Sequence, residues 1–227
     1  MKILKKIDLE MQKKYLIFDL DWTLINSQTW FVDLICDFLE KHVEMTKDEM
    51  KYLFHSTAWT PLEKQMCEIF WCEKKWKEFS DKIYEKILSH NKKNPAKFFP
   101  WIPEKILELS KKYKLFLTTW NHTDFAKEVL KKWWIIQCFE EIYWSDKIHK
   151  WREHLKIFQE NSCDENFFKK AVYIWDWNSD REFAGIFDID FIHIWSEKKD
   201  KYEIRSVAEI DEILWKINKK KSNYGRI

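Results

Sequence analysis

Asp19 and Asp21 stand one residue apart at the end of a short apolar run, Tyr15-Leu16-Ile17-Phe18. Asp176 and Asp180 follow a later run, Ala171-Val172-Tyr173-Ile174, and Thr119 follows Leu115-Phe116-Leu117-Thr118. Two carboxylates spaced in this way can divide labour. One attacks an electrophile while the other serves as acid and base. Three or four acidic groups gathered in one place repel each other unless a cation sits among them, and oxygen donors with open water positions suit Mg²⁺. A lone D-x-D is equally a turn or capping pair. Here the D-x-D-x-T and D-x-x-x-D elements each follow an apolar strand, in that chain order.

The elements that must position these residues are legible. From about Ser27 to Asn94 the pattern is helical: Trp30, Phe31, Leu34, Ile35, Phe38 and Leu39 recur at three-four spacing. Thr46 followed by Glu49 reads as a capping box, Pro61 as a helix start, and Lys74 to Leu88 as a fourth helix. Asn91-Lys92-Lys93-Asn94-Pro95 is a polar breaker. Strand and helix then alternate. Helices are predicted at Pro103 to Lys112, Thr123 to Lys132, Arg152 to Glu160, Asp180 to Ala184 and Val207 to Ile217. Strands are predicted at Leu115 to Thr118, Glu141 to Tyr143, Ala171 to Ile174 and Phe191 to Ile194. Such alternation implies an α/β fold with a doubly wound parallel sheet. Ligands bind beyond the carboxyl ends of such strands, where Asp19, Asp21, Thr119 and Asp176 fall.

Fifteen tryptophans and two glycines form an inverted composition. Trp22, Trp59, Trp101, Trp120, Trp134, Trp144, Trp175, Trp177 and Trp195 fall at strand ends or turns, where glycine supplies positive φ or close backbone approach. A gene that uses UGA for glycine, translated with UGA as tryptophan, gives this pattern; a chain truly rich in tryptophan is the alternative. Trp30, Trp76 and Trp215 lie in helical patterns and fit authentic tryptophan. The net charge of +2 implies no strong field for nucleic acid or membrane, so nucleic acid is not an expected partner. The Lys219-Lys220-Lys221 run reads as a solvated tail. Cys36, Cys67, Cys72, Cys138 and Cys163 are odd in number and irregular in spacing, which suits reduced thiols in a cytoplasmic protein. The chain contains no apolar run long enough to span a membrane, and Met1 to Lys14 is too charged for a signal peptide.

The constellation resembles the haloacid dehalogenase-like superfamily of hydrolases, from about Tyr15 to about Ser196. The first motif of that family, D-x-D-G-T after a hydrophobic strand, looks like Phe18-Asp19-Leu20-Asp21-Trp22-Thr23-Leu24, with tryptophan in place of glycine. Its second, a Ser or Thr ending a strand, looks like Thr119, with Thr118 the second choice. Its third, a lysine before a helix, looks like Lys150, with Lys147 the weaker candidate. Its fourth, G-D-x-x-x-D, looks like Trp175-Asp176-Trp177-Asn178-Ser179-Asp180, and Phe99-Pro100-Trp101-Ile102 is similar to the family's proline-glycine turn.

The resemblance implies a Rossmann-like core over residues 1–26 and 95–227, with an inserted α-helical cap over 27–94. It implies an aspartyl-phosphate on Asp19, acid and base catalysis by Asp21, and phosphoryl binding by Thr119 and Lys150. Mg²⁺ would be held by Asp19, the Asp21 carbonyl and Asp176, with Asp180 nearby. The expected activity is a Mg²⁺-dependent, phosphoglycolate phosphatase-like hydrolysis of a small phosphorylated metabolite. A phosphomutase shares the same groups. Authentic tryptophan at Trp22 and Trp177 would instead favour a non-catalytic binding protein. His55, Ser56 and Thr57 look like part of a substrate loop, or an interhelical turn; Asn121 and His122 could line the site or start a helix.

Overall fold

The computed structural model describes residues 12–57, 62–69, 73–145, 150, 152–176, 184–194 and 201–224. Its centre is a six-stranded sheet built from β1 (Tyr15–Phe18), β4 (Lys114–Thr119), β5 (Phe139–Trp144), β6 (Ala171–Trp175), β7 (Asp190–Ile194) and β8 (Glu203–Ile204), in the order β5-β4-β1-β6-β7-β8. Every neighbouring pair in it is parallel. The chain runs outward from β1 through β4 to β5, then returns to lay β6 against the other side of β1. The topological switch therefore lies between β1 and β6, where α/β sheets open a crevice at their carboxyl ends.

β1, β4 and β6 are near-continuous apolar runs because both faces of the sheet are covered. Alternate residues go to opposite sides. Leu16, Phe18, Leu115, Leu117, Val172 and Ile174 enter one core, with helices α5 (Ile102–Leu109), α6 (Thr123–Lys132) and α9 (Ile210–Tyr224). Tyr15, Ile17, Phe116, Ala171, Tyr173 and Trp175 enter the other, with α7 (Arg152–Ser162) and the short α8 (Phe167–Lys170).

Between β2 (Ile25–Asn26) and β3 (Lys97–Phe98) lie only helices among the described residues: α1 (Gln28–Leu39), α2 (Lys47–Ser56), α3 (Leu62–Ile69) and α4 (Glu73–Lys93). The capping box at Thr46 and Glu49 forms as expected, each residue bonding the other's backbone N–H. The helical insert rests on α6. Trp30 and Phe125 lie 6.2 Å apart, Tyr84 and His122 5.6 Å, and Asn91 donates to Glu128 at 3.4 Å.

Three features depart from the sequence expectation. α4 continues through the polar breaker to Lys93, because Asn91 is buried with partners: its Oδ1 accepts from Ala96 N at 2.9 Å. β2 and β3 pair as an antiparallel ribbon of two residues each, too short to show a period. β8 is equally short, and the final helix begins at Ile210 after a 3₁₀ turn at Val207–Glu209. The predicted helix start at Asp180 and the helix start at Pro61 lie outside the described residues.

At the end of the sheet opposite the carboxyl termini, Lys13 is buried and acts as a clamp. Its Nζ donates to the carbonyls of Lys169 (2.7 Å) and Ala171 (2.6 Å) and sits 2.7 Å from Asp190 Oδ2. One ammonium thus joins the starts of β1, β6 and β7. Removing one partner of a buried pair leaves the other uncompensated. Lys13→Met should lower the unfolding free energy by about 3 kcal/mol, the low end for such pairs because the Asp190 side chain keeps 20% exposure. Urea denaturation checks this; an unchanged midpoint would show that the clamp carries no load.

Candidate active site

The chain leaves β1 in a tight loop. Leu24 and Ile25 both donate to the Leu20 carbonyl (2.9 and 3.0 Å), and Trp22 N–H donates to the Ile25 carbonyl at 2.8 Å. Asp19 N–H is fixed to the Ile174 carbonyl of β6 at 3.2 Å. Asp19 and Asp21 are thereby held over the switch point.

Lys150 Nζ donates to Asp19 Oδ1 at 2.8 Å, and both side chains are buried. Asp21 is held from three directions. Ser27 Oγ donates to its Oδ1, Asn121 Nδ2 to its Oδ2, and Thr119 Oγ1 reaches the same Oδ2 at 3.4 Å. Thr119 Oγ1 also accepts from Asn121 N–H at 3.0 Å. Just past β6, Asp176 Oδ1 accepts from Thr23 at 3.5 Å, and the Asp176 carbonyl lies 3.0 Å from His193 Nε2.

The structure thus brings together Asp19, Asp21, Thr119 and Lys150, with Asp176 joined through Thr23. Between the two candidate threonines, pleating decides. Thr119 faces Asp21, whereas Thr118 faces the other side and bonds His154 Nδ1 at 2.7 Å. Asp180, Lys147 and Trp177 lie outside the described residues. In the expected substrate loop, Ser56 and Thr57 both donate to the Leu53 carbonyl and close α2, with His55 exposed on its last turn. Ala58 to Pro61 lie outside the described residues. Ser27 is a site residue the sequence reading passes over; its only signal is its place at the start of an amphipathic helix.

Charge balance is the main electrostatic fact. Burial pushes the Asp19 carboxyl up to about 7, against the pull of Lys150, and Asp21 raises it further. Burial also raises Asp21, opposed by the bond from Ser27, the charge of Lys150 and the bonds from Asn121 and Thr119. Two carboxylates, Asp19 buried and Asp21 partly so, share one ammonium, and one further cation would relieve the site. Among the described residues no three His, Cys, Asp or Glu side chains converge as a cage. Mg²⁺ does not require one, since it commonly binds through one or two carboxylates and keeps several waters. Asp19, Asp176 and the backbone carbonyls beside them are oxygen donors of the class such an ion takes.

Tryptophan crowds the cluster. The Lys150 ammonium sits 3.4 Å from the centre of the Trp175 ring and 5.5 Å from that of Trp120. The Trp22 indole N–H is buried with no hydrogen-bond partner among the described residues. An orphaned donor of this kind costs about 1–3 kcal/mol.

A family profile for haloacid dehalogenase-like hydrolases matches residues 16–194. No curated protein matches the chain. Solved structures agree in fold at low identity. A protein from Lactobacillus plantarum proposed to be a phosphoglycolate phosphatase aligns at 18% identity and TM-score 0.73, over 89% of this chain and 99% of that one. CbbY from Rhodobacter sphaeroides, in complex with phosphate, aligns at 13% and 0.72, over 88% and 97%. YfnB from Bacillus subtilis, proposed to be a hydrolase of the same type and bound to magnesium, aligns at 16% and 0.68, over 89% and 99%. Among the described residues no helix is long and apolar enough to cross a membrane.

Burial raises both carboxyls, Asp19 and Asp21. The folded metal-free protein holds protons that the unfolded chain releases, so its stability is highest below the ordinary carboxylate range. It falls as pH rises, with the loss complete above the folded value near 7. A divalent cation replaces those protons. Mg²⁺ should therefore raise the melting midpoint more at mildly alkaline than at mildly acidic pH, the stabilisation being about 2.7 kcal/mol at a hundredfold excess over Kd. Asp176→Asn should weaken the effect. Scanning calorimetry with and without Mg²⁺ measures it; a shift that shrinks with rising pH counts against the cation site.

Proposed function

The chain belongs to the haloacid dehalogenase-like hydrolases, and we propose that it hydrolyses the phosphate ester of a small metabolite through an aspartyl-phosphate on Asp19. The observation that supports this reading above others is the cluster of Asp19, Asp21, Thr119 and Lys150 at the switch point of the sheet.

In this reading Asp19 attacks phosphorus with the oxygen that Lys150 does not hold, and the ester P–O bond breaks in line. Asp21 gives its proton to the leaving alcohol oxygen. Burial favours that protonated form, while the bonds from Ser27 and Asn121 steady the carboxylate left behind. Asp21 then takes a proton from water, whose oxygen attacks the aspartyl-phosphate, releasing inorganic phosphate and restoring Asp19. Lys150 and Thr119 hold the phosphoryl oxygens as charge builds. Asp19, Asp176 and the Asp21 carbonyl, together with Asp180 as the resemblance implies, would hold Mg²⁺, which when bound supplies further positive charge at those oxygens. The helices over 27–94 act as a cap that selects the metabolite, with His55 at the end of α2 a candidate contact. A cytoplasmic setting suits such a substrate.

For the chain as written, one observation favours the second reading, a binding protein without turnover. The Trp175 ring stands 3.4 Å from Lys150, where a phosphoryl group needs room, and Trp22, whose indole N–H is buried, follows Asp21 directly in the chain. The two readings separate when the chain as written is assayed with an aryl phosphate and Mg²⁺ beside a chain carrying glycine at 22, 175 and 177. Activity in either, lost with EDTA, supports the phosphatase; inactivity in both removes it.

In the active form Asp19→Asn should abolish turnover. Asp21→Asn should keep a burst from a good leaving group but slow the steady state by about 10²–10⁴-fold, since water loses its base. Thr119→Val should lower kcat/KM by about 10²-fold, through loss of a donor to the phosphoryl oxygens. Thr118→Val should leave kcat/KM near the parent value but cost about 1–3 kcal/mol of stability, because His154 loses a buried partner. A reversed pattern for the two threonines would assign phosphoryl binding to the wrong face of β4.

A further inference from the structure

Five described residues other than glycine have φ in the left-handed region: Trp22 (58°), Trp101 (65°), Trp134 (56°), Cys163 (51°) and Asp188 (53°). Aspartate visits that region with local hydrogen bonding, but a bulky residue does so only under strain. Three of the five are tryptophan. No described glycine occupies it.

Each tryptophan sits in a turn whose hydrogen bonds are intact and whose chemistry calls for glycine. Phe99 to Ile102 is a turn closed by Ile102 N–H donating to the Phe99 carbonyl at 3.2 Å. Pro100 occupies its second position, and Trp101, at φ 65° and ψ 4°, its third. That is a type II turn, whose third position is a glycine position. At the end of α6, Trp134 N–H donates to the Lys131 carbonyl (3.0 Å) and Ile135 N–H to the Leu130 carbonyl (3.2 Å). This pair of bonds is a Schellman motif with Trp134 at the residue that is usually glycine. Trp22 turns the loop between the two catalytic-site aspartates and β2, with its buried indole N–H orphaned.

The side chains at the other two positions give little in return, since Trp101 is 72% exposed and Trp134 79%. Exposure alone is not the signature. Trp215 is 59% exposed, yet lies in regular helix within α9 and carries no backbone strain.

We infer that positions 22, 101 and 134 are glycine in the protein its own cell makes, written as tryptophan because that cell reads UGA as glycine. Glycine at these turns keeps every hydrogen bond named above and removes the strain. At Trp22 it also removes the orphaned donor and the bulk beside Asp21. The same decoding at Trp175 would lift the ring now 3.4 Å from Lys150 and open a phosphoryl-binding space. That last extension rests on the proposed phosphatase reading, because the backbone at Trp175 is ordinary strand. The inference at Trp101 and Trp134 does not, since both are far exposed and belong to turns of the scaffold.

Two measurements test it. The gene should carry UGA at 22, 101 and 134 and UGG at 215, and peptides of the native protein should contain glycine at the first three. UGG at 101 and 134, or tryptophan in those native peptides, overturns the inference. Independently, Trp101→Gly and Trp134→Gly should each raise the melting midpoint of the chain as written, by about 2–4 °C. Trp215→Gly should lower it, because glycine weakens a helix interior. If the first two variants melt below the parent as the third does, the strain argument fails, whatever the activity assays report.

Discussion

Everything at the carboxyl end of the sheet depends on one buried ion pair, Lys150 with Asp19, and on its being outnumbered. An ammonium and a carboxylate can be buried together when geometry and neighbouring bonds compensate their desolvation. Asp21 adds a second carboxylate to the same pocket, and its three hydrogen bonds, from Ser27, Asn121 and Thr119, answer that need only in part. The residual negative charge makes the site ready for a cation, and both carboxyls keep their protons more firmly without one.

The scaffold that enforces this arrangement is asymmetric in its chemistry. At one end, a single lysine, Lys13, ties the starts of β1, β6 and β7 to Asp190 and two carbonyls. At the other end the same strands release Asp19, Asp176 and, through β4, Thr119. The clamp fixes strand positions where nothing reacts, so the reacting end can carry charge that opposes folding. This is the usual division in parallel sheets, where function gathers at the carboxyl ends.

Much of this was legible before any coordinates. Asp19, Asp21, Thr119 and Asp176 could be found because apolar runs stop where they begin, and a parallel strand must bury both faces. The capping box at Thr46 is a purely local signal, and it forms. What escaped did so for physical reasons. Ser27 acts through a contact with Asp21 that no periodicity marks, and Asn121, open in the sequence between site lining and helix start, bonds the same carboxylate. Asn91 reads as a helix breaker in isolation, yet buried partners keep it in α4. The ribbon of β2 and β3 is only two residues deep on each strand. The tryptophans at 22, 101 and 134 are the reverse case: their residue type argues against a turn, while their positions report one correctly. The left-handed backbone at Trp101 and Trp134 shows that turn geometry there is set by hydrogen bonds and by Pro100, not by the side chain that occupies it.

The ribbon has a topological meaning. Ile25 lies opposite Phe98 and Asn26 opposite Lys97, so the chain departs from the core and re-enters it at one doubled point. Seen from the sheet, the helical segment is a long excursion whose ends have already met. The entropy of closing an excursion grows only with the logarithm of its length. Its size is therefore nearly free to change without penalty to the parallel strands, and a different excursion could be grafted at the same two residues while the charge cluster beneath kept its geometry.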